Sequence, residues 1–126
     1  KIFIACLCWT EMEENMERLS VCEEEVYLEI CWMSEPPALE DVRSAVNRLG
    51  HEWKPQTVST FLNRLVKKRY LSMWKKGRYY YYKPEIYLED YQAAECTRML
   101  NRIFKGDSQR MQSCLIAATN KYGKNG

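Results

Sequence analysis

Residues 54–83 read KPQTVSTFLNRLVKKRYLSMWKKGRYYYYK, with nine basic side chains and no acidic one. Pro55 has the fixed φ suited to a first helical position, where its missing N–H costs nothing. After Val58, the apolar residues Phe61, Leu62, Leu65 and Val66 follow at i+3, i+4, i+7 and i+8, one stripe on a helix of about three turns. Gln56, Thr57, Thr60, Asn63, Arg64 and Lys67 take the opposite face, with Ser59 at its edge. Such side chains suit base edges and phosphates: amides pair with adenine, Arg with guanine, and Thr meets the thymine methyl. An ordinary solvated helix face has the same composition, so the residues that follow decide.

Tyr70–Met73 and Tyr79–Tyr82 are β-prone runs around Lys75, Lys76 and Gly77. A Gly that permits positive φ makes a tight hairpin the expected connection, with Lys75, Lys76 and Arg78 at its tip. Strand alternation sends two of the four tyrosines to the core and two outward. That argues against a stacking platform for single strands and leaves Tyr80 or Tyr82 to touch a phosphate.

Upstream, Leu39–Leu49 has Leu39, Val42, Val46 and Leu49 on one face, and Gly50 supplies a C-terminal stop. Two helices joined by a Gly-containing turn, the second bearing a polar recognition set and followed by a basic hairpin, predict a winged helix-turn-helix. Trp53 is expected to pin the turn onto the core. Before it, Ser20-Val21-Cys22-Glu23 fits the S-x-x-E capping box, and Glu23, Glu24 and Glu25 suit a first helical turn. These acids read as cap and solvated face. Val26, Ile30 and Met33, with Tyr27 and Trp32 beside them, read as the buried side of that helix, which Pro36 and Pro37 end.

Past Pro84, a helix over Leu88–Phe104 carries Leu88, Tyr91 or Gln92, Cys96, Met99, Leu100 and Ile103 on a stripe. Gly106 breaks it, and Asp107 or Ser108 caps a last helix with Met111, Cys114, Leu115 and Ala118. Two helices have little core of their own, so a second copy of the chain is the expected cover. The predicted organisation is an extension at 1–18, a winged helix-turn-helix at 19–84 and a helical dimerisation region at 85–126. The class is mainly α with a small β-hairpin wing.

Residues 1–53 hold four basic against twelve acidic side chains, and residues 84–126 hold six against five. The formal charge of +2 therefore hides a strongly polarised chain, the electrostatic footprint of a nucleic-acid binder. No apolar run approaches the ~18–20 residues that span a bilayer. The opening KIFIACLCW is short, precedes an acidic run and lacks a small-residue cleavage site, so it reads poorly as a secretory signal. Residues 1–11 are expected to be a nonessential extension upstream of a start at Met12 or Met16.

The six cysteines (6, 8, 22, 31, 96, 114) are expected to be reduced, mostly buried thiols in a cytoplasm. Cys6 and Cys8 lack zinc partners at recognisable spacing, and the single histidine, His51, is distant. Cys22 and Cys31 point to opposite sides of a helix. No metal and no cofactor is expected. One histidine in a turn and no Gly-rich phosphate loop also argue against an enzyme.

Over residues 19–105 the chain resembles the penicillinase-repressor family of bacterial transcription factors. Ser20 through Trp32 is similar to that family's first helix and its closing Trp, and Trp53–Thr60 with Leu62–Lys68 to its recognition helix. Trp74–Arg78 through Tyr82–Pro84 resembles its wing, and Leu100–Asp107 a signature in its dimerisation region. The resemblance implies a homodimeric repressor on a pseudo-palindromic operator, with Gln56, Thr57, Ser59, Thr60 and Arg64 reading the major groove. It also implies relief by proteolysis near Asn101, Arg102, Ile103 and Phe104, with a membrane sensor protease as a further partner. The chain departs from the family at Arg69, where a Gly is usual, in lacking paired Cys-x-Cys motifs after Leu115, and in ending after the second tail helix, where a third is common.

Duplex contacts are thus expected from Lys54, Gln56, Thr57, Ser59, Thr60, Asn63, Arg64, Lys67 and Lys68, and from Lys75, Lys76, Arg78 and Tyr80 in the wing. Dimer contacts are expected from Leu88, Tyr91, Cys96, Met99, Leu100, Ile103, Phe104, Met111 and Leu115. The acidic first third favours an alternative, a winged-helix module that binds protein. A metal-responsive repressor of the same family is the other alternative.

Overall fold

The Ser20 hydroxyl accepts the Glu23 amide while the Glu23 carboxylate accepts the Ser20 amide, a complete capping box. It opens α1 (Val21–Cys31) in a computed structural model that describes residues 16–123. There follow α2 (Leu39–Asn47), α3 (Pro55–Lys67), β1 (Leu71–Lys76), β2 (Tyr79–Pro84), α4 (Leu88–Arg102) and α5 (Ser108–Tyr122). Contacts divide the chain into two units, one ending at Tyr91 and the other beginning at Gln92. The expectations for residues 1–15, including the Cys6–Cys8 pair and a start at Met12, lie outside the described residues.

The first unit is the winged helix. Val26, Tyr27 and Ile30 of α1, Val42 and Val46 of α2, and Val58, Leu62 and Leu65 of α3 meet Tyr70, Leu71, Tyr82 and Tyr91 in one core. The apolar stripe of α3 is buried as its spacing requires, with Phe61 and Val66 half-covered at its borders. Met16 and Leu19 also pack on this core, so the chain is anchored ahead of the cap.

The hairpin pairs Leu71 with Pro84 through Lys76 with Tyr79, which leaves a two-residue turn of Gly77 and Arg78. Gly77 has φ +68°, the glycine-first form of hairpin turn. Lys75 and Lys76 therefore belong to the strand, and Arg78 alone of the three expected cations is at the tip. The Tyr82 N–H donates to the Pro37 carbonyl, and Ala38 forms an isolated antiparallel bridge with Tyr81, so the approach to α2 is tied to the free edge of β2.

Between α3 and β1 the chain turns through a Schellman motif. The Arg69 N–H donates to the Val66 carbonyl (3.0 Å) and the Tyr70 N–H to the Leu65 carbonyl (2.9 Å), with Arg69 at φ 69°. The position where the family usually has Gly is thus left-handed here, and Arg69 occupies it.

Four expectations are corrected. Trp32 stands two residues past Ile30, ~200° around the helix, and as the α1 C-cap it is 73% exposed rather than buried. Helix α2 stops at Asn47, so Leu49 lies in the following turn and is exposed. Cys22 and Cys31 are half-buried and Cys96 and Cys114 exposed, because helix faces rather than thiol chemistry set their cover. Tyr91, expected at a dimer surface, packs edge-on against Tyr27 and Tyr70 (5.1 and 5.9 Å) and donates to Glu24, so it belongs to the first unit's core.

In the second unit, the Asp107 carboxylate caps α5 by accepting the Arg110 N–H at 3.1 Å. The turn before it uses two positive-φ residues, Lys105 and Gly106.

Candidate nucleic-acid interface

Helix α3 begins at Pro55 with Lys54 as an extended N-cap that makes no side-chain cap bond. Its first turn holds no acid, so the positive end of the helix dipole is uncompensated and suits a phosphate. Along the outward face Lys54, Gln56, Thr60, Asn63, Arg64 and Lys67 are exposed, and Thr57 and Ser59 are half-buried. The Thr60 hydroxyl donates to the Gln56 carbonyl (3.0 Å), which leaves its oxygen lone pairs and methyl for a partner.

The turn before α3 is fixed from both sides. The Asn47 side chain accepts the Trp53 N–H (3.0 Å) and donates to the Trp53 carbonyl (3.2 Å), and Arg43 donates to the same carbonyl. The Trp53 ring lies between His51, stacked 4.0 Å away, and Phe61 at 5.1 Å. The Trp53 expectation holds. Asn47 and Arg43 were missed, because a side chain clamping a backbone group six or ten residues later leaves no periodic trace. His51 reaches back to Glu25 of α1.

The hairpin faces α3 across an open groove of about 750 Å³ lined by Ser59 and Asn63 from α3, Arg78 and Tyr80 from the wing, and Leu39 and Glu40 from α2. Lys75 lies over the Tyr80 ring, 5.8 Å from its centroid, and Lys75, Lys76, Arg78 and Tyr80 are all exposed. Tyr82, the other tyrosine named for a phosphate, is only 4% exposed and belongs to the core. Its inward face follows from its partner Met73 across the strand.

Lys68 differs from its neighbours. It caps the C-terminus of α3, and its ammonium donates to Glu23 (2.7 Å) and to the Arg18 carbonyl (3.0 Å), with the side chain 18% exposed. The expected phosphate ligand is therefore held inside the fold. Glu23 is correspondingly buried rather than solvated, and an Arg64 nitrogen lies 4.0 Å from its second oxygen. Burial pushes the Glu23 carboxyl up, but Lys68, the Ser20 amide and Arg64 outweigh it and hold the group below the ordinary carboxylate value.

In the second unit Cys96, Met99 and Ile103 of the expected dimer set are exposed, as is Leu115, with Ile116 beside it. Leu100, Phe104 and Met111 are half-buried, as is Leu88 in the first unit. Asn101 and Arg102 are exposed at the end of α4. Among the described residues no helix is long and apolar enough to cross a membrane.

A helix-turn-helix whose second helix and following hairpin share an acid-free cationic face defines a winged-helix protein of the DNA-binding class. The chain belongs to the penicillinase repressor family, whose model matches residues 19–123 and whose members are DNA-binding regulators rather than enzymes. It is 30% identical over 98 residues to the penicillinase repressor of Bacillus licheniformis, covering 78% of this chain and 75% of that one. It is also similar to the solution structure of the monomeric form of Bacillus licheniformis BlaI in complex with the blaP half-operator. That match is 32% identical with a TM-score of 0.49, over 60% of this chain and 90% of that one.

Proposed function

We propose that this chain is a sequence-specific double-stranded DNA-binding repressor that acts in the cytoplasm as a homodimer on a pseudo-palindromic operator. The observation that carries the reading is the exposed, acid-free face shared by α3 and the wing. Gln56, Thr57, Thr60 and Arg64 read base edges in the major groove, with Ser59 and Asn63 beside them. Lys54, Lys67, Lys75, Lys76, Arg78 and Tyr80 take phosphates and supply most of the affinity and its salt dependence. A second copy covers the apolar side chains of α4 and α5, and two recognition helices about a twofold axis read half-sites about one helical turn or a multiple apart. Cleavage in the Asn101–Phe104 segment, where Asn101, Arg102 and Ile103 are exposed, by a membrane sensor protease separates the dimer and relieves repression.

Gel shifts on duplex fragments from the chain's own genome, at several salt concentrations, test the reading. Arg64→Ala is expected to cost about 1–3 kcal/mol on the preferred duplex and to relax one base position. Lys76→Ala is expected to weaken all duplexes alike and flatten the salt slope. Equal losses on preferred and random duplexes with Arg64→Ala would make Arg64 a phosphate clamp, and no binding to any duplex would remove the assignment.

A further inference from the structure

Glu23 is the one charged residue among the described residues whose side chain is buried. One of its oxygens accepts both the Lys68 ammonium (2.7 Å) and the Ser20 amide (3.0 Å), and the other stands 4.0 Å from Arg64. Lys68 is further tied to the Arg18 carbonyl. A single carboxylate from the start of α1 thus reaches two cations in the last turns of the recognition helix. Lys68 follows Arg64 by one helical turn and flanks Lys67, so a released ammonium has a four-carbon stem with which to reach the phosphate that Lys67 serves.

A cap needs only an acceptor at the third helical position, and Gln serves there as Glu does. The carboxylate's charge therefore has a separate consequence, which falls on the binding face. Every cation available to phosphate raises affinity for any duplex without regard to sequence, and specificity is the ratio between preferred and random DNA. A cation withdrawn from the face lowers the sequence-independent part.

We propose that Glu23 is a positioning residue for DNA recognition. By holding Lys68 out of phosphate contact and drawing Arg64 toward the α1 end of its helix, it lowers non-specific affinity and sharpens discrimination. This rests on the DNA-binding function proposed above.

The test is the salt dependence of binding to a random-sequence duplex and to the preferred one, for wild type, Glu23→Gln and the double variant Glu23→Gln/Lys68→Met. Each phosphate contact contributes about 0.9 to the slope of log K against log salt. Glu23→Gln is therefore expected to bind random duplex more tightly at low salt. It loses about 3.5-fold more affinity than wild type between about 50 and 200 mM salt, the effect of one added contact. Its preferred-to-random ratio falls. The double variant is expected to return to the wild-type slope, because the freed lysine makes the added contact. A purely structural role for Glu23 would lower stability and leave the slope unchanged.

Acetylation footprinting of wild-type Lys68 keeps the proposal testable even if Glu23→Gln is too unstable to titrate. Lys68 is expected to react slowly in the free protein and no more slowly on DNA, whereas Lys67 becomes protected on binding. An unchanged slope in folded Glu23→Gln, a steeper slope that persists in the double variant, or protection of Lys68 only on DNA would overturn the proposal while leaving DNA binding intact. Failure of the wild type to bind any duplex would overturn both readings together.

Discussion

Arg69→Gly is expected to stabilise the winged-helix unit. Arg69 is exposed and sits at φ 69° in the Schellman turn after α3. An L-residue in that region costs about 1–2 kcal/mol against a right-handed one. Glycine removes the cost but loses about 0.5–1 kcal/mol more conformational entropy on folding. Both bonds of the motif, Arg69 N–H to Val66 and Tyr70 N–H to Leu65, are backbone bonds that the substitution leaves in place. The difference is a gain of about 0.5–1 kcal/mol, or a rise of about 2–8 °C in Tm for a unit of this size. The assay is thermal and urea unfolding of wild type, Arg69→Gly and Arg69→Ala. Alanine keeps the left-handed cost and drops the charge, so it is expected within about 0.5 kcal/mol of wild type. If alanine stabilises as much as glycine, the gain comes from relieving repulsion with Lys67 and Lys68, and the backbone reasoning is refuted. A loss of stability with glycine refutes it outright.

The Glu23 carboxyl, held below its ordinary value of 4.5 in the folded state, contributes stability that is complete above that value and is lost as pH falls through the lowered one. Urea unfolding from pH 7 into the acid range is expected to show wild type losing a stability advantage over Glu23→Gln; a constant gap between the two would show that Glu23 has no lowered pKa. Ile103→Glu places a charge on an exposed position of the proposed dimer surface, so sedimentation is expected to show a monomer with helix content intact. A dimer of unchanged strength would place the interface elsewhere.

What the sequence made legible was whatever is written within one turn or one strand. Ser20 and Glu23 are three residues apart and cap each other; Pro55 starts α3; Val58 through Val66 give one stripe; Gly77 makes the hairpin turn. The acid-free face of α3 needed only the same 3.6-residue count. The parts that were missed are those whose partner is remote. Lys68 has the composition of a phosphate ligand, and a carboxylate 45 residues earlier and a carbonyl 50 residues earlier take it off the face. Tyr91 fits the stripe of α4, yet its helix begins beneath Tyr27 and Tyr70, so the core claims it first. Trp32 is hydrophobic, but α1 has already turned its buried side away by the time the chain reaches it. Periodicity identifies a face and leaves open what, if anything, covers it.

The contacts that fix the proposed binding face lie almost entirely outside it. Asn47 and Arg43 clamp the Trp53 carbonyl and so set the angle at which α3 leaves the turn. The Schellman bonds at its other end set the direction of β1, and the Pro37–Tyr82 bond sets the hairpin against the start of α2. Helix and wing are thereby held in register by backbone groups that DNA does not need to touch. Ordering costs at an interface subtract directly from affinity, and here the frame is ordered before any phosphate arrives. The side chains exposed on that frame, Gln56, Thr60, Asn63 and Arg64 on α3 and Lys75, Lys76 and Arg78 on the wing, then add chiefly their own rotamer freedom to the cost of binding. On the proposed function, loosening the frame at Asn47 is therefore expected to weaken every duplex without touching a contact, whereas changing Arg64 is expected to alter which duplex is preferred.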